Sequence, residues 1–216
     1  MCTYTGGKAR IGKKIFEAMK SYEMEVIGNH DMPYFEPFVG MGGVLQHVAI
    51  NQSRDILACD LEKCIPEFWN EIKKGWKPSP ITKEEYISIK KENKEDAEYA
   101  FAAFGCSFRG SKWTYFYNDC MNRAIKRITK KDYVNVMKDV TFLDHKSYIE
   151  HDPSGMLIYC DPPYLNSAFD KRRTNLINFD HNLFWDTMRS WSLKNTVIVS
   201  ERNSPNDFKS IFSLNR

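Results

Sequence analysis

A short apolar segment that runs into a glycine turn constrains the fold of this chain more than any other feature. The segment Tyr34–Val39 is aromatic and β-prone, the turn is Gly40–Gly43, and Val44–Ile50 resumes a helical pattern. A second short buried strand, Asp55–Asp60, follows and ends in an acid. Strand, tight turn, helix and strand make a βαβ unit, which predicts a parallel sheet in an α/β fold.

The two flanks of the chain continue this pattern. Ile11–Met24 and Phe179–Trp191 have helical spacing, and Met156–Cys160 and Thr196–Ser200 have the apolar character of buried strands. Helices that alternate with strands predict a doubly wound, Rossmann-like sheet.

The middle of the chain has a different character. From Trp76 to about Lys138 it is charged, with two predicted helices, Thr82–Tyr99 and Asn118–Met137, on either side of a loop around Gly105–Trp113. Residues 71–138 contain 12 Lys and 3 Arg against 6 Glu and 3 Asp, a net charge of +6 in a chain whose total is only +3. We therefore expect a core of residues 1–75 and 139–216, interrupted by a basic, mainly helical insertion at 76–138 that is suited to nucleic acid.

Composition excludes several classes of protein. No apolar run approaches the roughly 18 residues that span a membrane, and the first residues do not resemble a signal peptide. The six cysteines form no C-x-x-C pair and the five histidines are scattered, so we expect no metal site. Scattered thiols favour a reducing, cytoplasmic location.

The glycine turn indicates an adenosine-containing cofactor. Glycines allow close approach to the backbone, the next helix offers free N–H groups, and Asp60 can accept hydrogen bonds from ribose hydroxyls. The dinucleotide fingerprint lacks its third glycine, because Leu45 stands there, which disfavours a dinucleotide oxidoreductase. The pattern Phe38-Val39-Gly40-Met41-Gly42 is instead typical of S-adenosylmethionine (SAM) enzymes. The alternative is a tight turn that binds no ligand.

A second motif, Asp161-Pro162-Pro163-Tyr164, directly follows the predicted strand Met156–Cys160. Prolines cannot continue a central strand, so the chain opens at the carboxyl edge of the sheet, where α/β folds bind ligands. The Asp161 carboxylate and the Pro162 carbonyl are two acceptors that suit an exocyclic amino group, and the Tyr164 ring can stack on a base. The alternative is a plain proline turn.

Three motifs together resemble a known family, the Dam-type DNA adenine-N6 methyltransferases. Tyr4-Thr5-Gly6-Gly7-Lys8 is similar to the family's N-terminal motif. Glu36-Pro37-Phe38-Val39-Gly40-Met41-Gly42 is similar to its cofactor loop, and Asp161-Pro162-Pro163-Tyr164 to its catalytic motif. The resemblance covers nearly the whole chain. It implies a SAM-binding catalytic domain at 1–75 and 139–216 and a DNA target-recognition insertion at 76–138.

The resemblance also implies roles for individual residues. The catalytic positions are Asp161, Pro162 and Tyr164. The cofactor-binding positions are Tyr4, Gly7, Lys8, Phe38, Gly40, Gly42, Asp60 and Asp161, and the stretch Val140–Asp144 lies where the family places residues around the cofactor adenine. From their residue types and positions, we expect DNA contacts from basic or aromatic residues in or near the insertion: Arg109, Lys112, Trp113, Arg123 and Arg127. The alternative is a solvated basic helix at Arg123–Lys131 and a packed aromatic cluster.

The implied reaction transfers a methyl group from SAM to the N6 amino group of an adenine that has been flipped out of double-stranded DNA, with S-adenosylhomocysteine as the second product and no metal. We expect no membrane partner, a monomer in solution and a cytoplasmic location, which the resemblance places in a bacterium or in the host cell of a phage or virus. Methylation of RNA adenine, methylation of DNA cytosine at N4 and a non-catalytic nucleic-acid-binding protein with a methyltransferase-like core remain alternatives. The family's sheet has seven strands, and Phe208–Leu214 is predicted to supply one of the last.

Overall fold

Five parallel strands form the centre of the fold in the computed structural model, which describes residues 7–28, 32–51, 53–164 and 179–214. The strands are β1 (Tyr34–Glu36), β2 (Ile56–Ala58), β3 (Val140–Phe142), β4 (Leu157–Cys160) and β5 (Thr196–Val199). Their order across the sheet is β3-β2-β1-β4-β5. The predicted α/β, Rossmann-like sheet is confirmed.

Strand β1 lies at the point where the order of the sheet reverses. Tyr34 is in register with Ile56 of β2 on one side and with Leu157 of β4 on the other. The carboxyl ends of β1 and β4 are therefore neighbours. In open parallel sheets a crevice forms at this switch point, and ligands bind there.

Helices cover both faces of the sheet. One face carries α1 (Gly12–Tyr22, continued by a π-helical turn at Glu23–Ile27), α2 (Leu45–Asn51) and α3 (Cys64–Lys73), and the other carries α8 (His181–Ser192). Strand residues alternate between these layers. Tyr34 packs with α1–α3, while Phe35 packs against Trp191 of α8. The sheet is doubly wound, as expected.

The insertion is mainly helical. It contains α4 (Lys83–Glu92), α5 (Ala97–Ala100), a π-helical turn (Phe101–Gly105), a 3₁₀ turn (Phe108–Gly110), α6 (Asn118–Lys130) and α7 (Tyr133–Met137). Its apolar core is continuous with that of the sheet: Trp76 contacts Phe68 of α3 and Phe101 of the insertion, with ring centroids 6.1 and 6.4 Å apart.

Each of the two long helices predicted in the insertion is two helices in the structure. The first is interrupted at Asn93 and Glu95, whose φ angles are 51° and 52°, and Asp96 then caps α5. The second is interrupted at Lys131, which is extended, and Asp132 caps α7. Both breaks place an acid where its side chain accepts from the backbone N–H of a new helix.

Two further expectations need correction. Val140–Phe142, which was not predicted as a strand, forms β3 at one edge of the sheet. Conversely, Phe208–Leu214 forms no strand. Phe208 packs on Trp185 of α8 at 4.8 Å, and the carboxylate of the preceding residue, Asp207, accepts from Arg189 at 2.8 Å, so this segment is held against the helix rather than beside β5. Among the described helices, none has the length and apolarity needed to cross a membrane.

Candidate functional site

The glycine turn after β1 has a backbone that only glycine adopts easily. Gly40 and Gly42 have φ angles of 46° and 63°. A Cβ at Gly42 would lie 2.8 Å from Cζ2 of Trp69, and the indole Nε1 of Trp69 donates to the Gly40 carbonyl at 2.9 Å. The turn is therefore fixed from behind by Trp69 of α3, and Gly42 has no room for a side chain there.

The N-terminal segment packs directly on this turn. A Cβ at Gly43 would lie 3.0–3.1 Å from backbone atoms of Lys8, and a Cβ at Gly12 would lie 2.0 Å from the Gly43 carbonyl oxygen. The Lys8 carbonyl accepts from the N–H groups of Ile11 and Gly12 at 3.0 and 2.6 Å, which begins α1. These close backbone contacts place Gly7 and Lys8 next to the glycine turn.

Asp60, after β2, is buried and tied to the same turn. Its Oδ2 accepts from the Gly40 N–H at 2.8 Å, and its Oδ1 accepts from the Glu62 N–H at 3.0 Å. Burial raises the pKa of Asp60 to about 6, although the two backbone hydrogen bonds oppose that rise. A carboxylate oxygen can accept more than one hydrogen bond, so Asp60 keeps acceptor capacity for a ligand.

Lys8 links the N-terminal segment to the motif after β4. Its ammonium group donates to Oδ1 of Asp161, and both side chains are largely buried, with 7% and 17% exposure. Burial is the largest single influence on the pKa of Lys8 and lowers it, but the charges and hydrogen bonds of Asp161 and Tyr164 together outweigh burial, so the net pKa is raised. For Asp161 burial is the largest influence and raises the pKa, and the Lys8 ammonium opposes it.

Tyr164 lies beside this ion pair. Its ring centroid is 4.6 Å from Nζ of Lys8 and 5.7 Å from Cζ of Arg202. Burial and the nearby Asp161 carboxylate raise the pKa of the Tyr164 phenol, which therefore stays neutral. Pro162, which lies between Asp161 and Tyr164 in the sequence, is buried. Lys8, Asp161 and Tyr164 thus form one cluster at the switch point.

Glu36, at the end of β1, lies near this cluster and was not singled out from the sequence. It is 2% exposed and accepts from the Tyr34 hydroxyl at 2.7 Å. Burial raises the pKa of Glu36 well above its usual range, and the charges of Asp161 and Asp60 raise it further. The only sequence signal was its position at the start of the Glu36–Gly42 motif.

Phe38 follows Glu36 and belongs to an aromatic cluster on the α8 side of the sheet. Its ring lies 5.3 Å from that of Tyr148 and 6.0 Å from that of Phe184. It is only partly buried, so it retains an exposed surface beside the glycine turn.

The insertion loop has a strained backbone. Arg109 and Trp113 have φ angles of 57° and 56°, which are uncommon for residues other than glycine. Arg109 is exposed, with its guanidinium 5.2 Å from the centre of the Phe108 ring. Trp113 packs inward against Tyr86 and Tyr99, at 5.0 and 4.9 Å.

The other basic residues proposed for DNA lie in two different settings. Lys112 is half-buried and forms an ion pair with Glu62, two residues after Asp60. Arg123 and Arg127 lie on the exposed side of α6, whose opposite side buries Cys120, Met121, Ala124 and Ile128. Arg109, Arg123 and Arg127 are therefore exposed, whereas Lys112 and Trp113 are held by protein contacts. Tyr4 lies outside the described residues.

A comparison with protein families identifies this chain. Residues 4–146 match the family described as D12 class N6 adenine-specific DNA methyltransferase. The match includes the N-terminal motif, the glycine turn, Asp60 and the whole insertion, and it ends before Asp161. A comparison with curated proteins found no significant match. The chain belongs to the family of D12 class N6 adenine-specific DNA methyltransferases, and it is an enzyme of that class.

Proposed function

We propose that the chain uses SAM to methylate N6 of an adenine flipped out of duplex DNA, with the switch-point cluster as its active site. The observation that carries the proposal is the ion pair between Lys8 and Asp161. This ion pair brings the motif after β4 to the glycine turn after β1. The groups proposed to bind the methyl donor and those proposed to bind the target adenine therefore share one crevice.

The glycine turn fits the adenosine end of such a cofactor. Gly40 and Gly42 carry no side chain that would keep a ligand from the backbone of the turn, and Asp60 is a buried acceptor that suits ribose hydroxyls. Gly7 and Lys8 lie next to the turn and Phe38 precedes it in the chain, and the Lys8 ammonium is a cation that suits the carboxylate at the amino-acid end of SAM. When bound, SAM supplies a methyl group on a positively charged sulfur.

Asp161 and Pro162 are proposed to hold the adenine amino group. Lys8 binds Oδ1 of Asp161 and favours the ionised carboxylate, which can accept an N–H of the amino group, while the Pro162 carbonyl accepts the other. When both N–H groups of the amino group donate hydrogen bonds to these two acceptors, the nitrogen lone pair is drawn out of conjugation with the ring. The lone pair then forms the nitrogen–carbon bond as the carbon–sulfur bond breaks, and one N–H proton leaves to water. Asp161 stabilises the positive charge that develops on nitrogen.

The duplex is proposed to bind along the insertion. Arg123 and Arg127 on α6, with Arg109 in the loop, offer positive charge to phosphates or base edges. A target adenine inside a duplex has to leave the stack, and the Tyr164 ring is the proposed platform for it. Lys112 and Trp113 contribute to this surface by fixing the shape of the loop.

The test is transfer of a labelled methyl group from SAM to unmethylated duplex DNA, followed by mass analysis of the nucleosides. We expect N6-methyladenine from the unaltered protein and none from Asp161→Ala. The matched control is Asp152→Ala, which removes an acid that is 89% exposed, and should retain activity.

SAM binding is titrated on the same samples, so that loss of transfer can be separated from loss of cofactor binding. Near-normal turnover by Asp161→Ala would contradict the assignment of the active site. Methylation of RNA alone, or formation of N4-methylcytosine, would contradict the proposed substrate.

A further inference from the structure

Glu62 connects two parts of the protein that the proposed function uses separately. Its backbone N–H donates to Asp60 Oδ1 at 3.0 Å, and its carboxylate pairs with the ammonium of Lys112 in the insertion loop. Asp60 in turn accepts from the Gly40 N–H at 2.8 Å. A continuous chain of polar contacts therefore runs from the glycine turn to the insertion.

Lys112 lies in a packed part of the insertion loop. The residue before it, Ser111, is 8% exposed, and the residue after it, Trp113, is packed between Tyr86 and Tyr99. The Lys112 ammonium also lies 5.8 Å from the centre of the Tyr99 ring. The packed neighbours hold the Lys112 backbone, and its ammonium lies beside both Glu62 and the Tyr99 ring, so the ion pair ties Glu62 to this packed part of the loop.

We propose that Glu62 is a positioning residue that couples the cofactor turn to the DNA-recognition loop. A ligand that binds Asp60 orders the chain at Glu62, and Glu62 then holds Lys112 and the exposed Arg109 in the arrangement that binds DNA. Cofactor and DNA therefore strengthen each other's binding. By linkage the same factor applies in both directions. The inference rests on the proposed function, since it takes SAM or its product as the ligand of Asp60.

The test measures a ratio, so that changes in the separate affinities cancel. The dissociation constant of a fluorescent, unmethylated duplex of mixed sequence is measured with and without saturating S-adenosylhomocysteine, which cannot react. We expect the unaltered protein to bind the duplex about fivefold or more tightly in the presence of S-adenosylhomocysteine. In Glu62→Gln, which keeps the backbone N–H and loses the ion pair, the ratio should fall close to one.

The control variant is Glu71→Gln. It removes the acid from an exposed ion pair with Lys74 on the neighbouring helix α3 and should keep the original ratio. A second pair of variants tests the loop side: Lys112→Arg retains the positive charge and should keep the coupling, while Lys112→Gln should lose it. Thermal unfolding curves confirm that each variant is folded, and the Lys112 pair decides the question if Glu62→Gln is not.

Three outcomes overturn the inference. The ratio is one in the unaltered protein, or it is unchanged in both Glu62→Gln and Lys112→Gln, or Glu62→Gln strengthens DNA binding equally with and without S-adenosylhomocysteine. The last would mean that Glu62 competes with phosphate for Lys112. Failure of the unaltered protein to bind S-adenosylhomocysteine at all contradicts the proposed cofactor instead, and the inference then falls with it.

Discussion

The ammonium group of Lys8 binds the carboxylate of Asp161, 153 residues further along the chain. Lys8 is held by backbone contacts on the glycine turn, and Asp161 follows β4, so one ion pair joins the glycine turn to the motif that follows β4. Because both side chains are largely buried, each charge depends on the other for compensation.

Replacing Lys8 by methionine should therefore impair catalysis in a pH-dependent way. The Lys8 charge lowers the pKa of Asp161, so its removal raises that pKa and the active carboxylate forms only at higher pH. We expect the rate at pH 7 to fall about 100-fold and the acid limb of the rate profile to move to higher pH.

The pH profile of methyl transfer checks this expectation. Lys8→Arg, which retains the charge, should stay close to the original profile, and Lys13→Met, an exposed lysine nearby in the chain, should not change it. A Lys8→Met enzyme that is slower by the same factor at every pH would show that Lys8 does not act through the ionisation of Asp161.

Cofactor affinity should weaken in acid because of Asp60. Burial raises the pKa of Asp60 to about 6, and the ionised form is the better acceptor for ribose hydroxyls. Binding of the ligand then favours loss of the proton from Asp60. The affinity for the cofactor therefore reaches its maximum above pH 6, and below pH 6 it decreases by up to about tenfold for each pH unit.

Calorimetric titration of S-adenosylhomocysteine between pH 5 and pH 8 measures this dependence. In Asp60→Asn we expect weaker binding that no longer has a step near pH 6. The same step in the variant would assign it to another group, such as Asp161.

Replacing Gly42 by alanine should destabilise the protein more than the same replacement at Gly155, a glycine with a similar backbone conformation. Gly42 and Gly155 have φ angles of 63° and 69°, but an added Cβ meets Trp69 at 2.8 Å only at Gly42, and nothing within 4 Å at Gly155. Gly155→Ala carries only the left-handed backbone cost of about 1–2 kcal/mol, and Gly42→Ala adds an overpacking cost of about 1–3 kcal/mol.

Denaturant unfolding of the two variants gives the comparison directly. Equal losses of unfolding free energy would mean that Trp69 moves aside at little cost. In that case the glycine turn is not fixed from behind as described.

Arg123 and Arg127 should contribute to DNA affinity through phosphates. Each phosphate contact that is lost reduces the slope of log affinity against log salt by about 0.9, so the double alanine variant should lose about two from the slope. The charge-matched control is the double variant Lys74→Ala and Lys194→Ala. Lys74 lies at the end of α3 and Lys194 just before β5, so both are near the amino ends of the strands, away from the site at their carboxyl ends.

Binding to the mixed-sequence duplex at several salt concentrations gives the slopes. If both double variants change the slope alike, general positive charge accounts for the effect and α6 is not a specific phosphate surface.

Much of the fold could be predicted because its signals are local. Two of the predicted strands are short apolar runs that end at a glycine or proline turn within a few residues: Tyr34–Val39 before the glycine turn, and Met156–Cys160. Strands β1 and β4 lie inside these predicted segments. The edge strand β3 was missed because only Val140 of its three residues is buried, which leaves little apolar signal. Phe208 was misassigned because an aromatic residue can satisfy its burial on a helix as well as in a strand.

The site was predictable in its residues and not in their contacts. Lys8, Asp60 and Asp161 stood in motifs, but nothing in the sequence pairs Lys8 with Asp161 rather than leaving it exposed. Lys112 looked like a DNA ligand because it is basic and lies in a loop, whereas the structure pairs it with Glu62. Such contacts depend on where the folded chain places distant residues, and this cannot be predicted from the type and spacing of individual residues.

The order of the strands has a consequence for synthesis of the protein. Strand β1 leaves the ribosome before its neighbour β4, which follows only after residues 37–156 have been made; at about 5–20 residues per second this takes about ten seconds. During that interval one edge of β1, with the apolar Tyr34 and Phe35, has no native partner. An open strand edge is a template for mispairing. Nascent chains are therefore most exposed to aggregation, and to capture by chaperones, while the insertion is being translated.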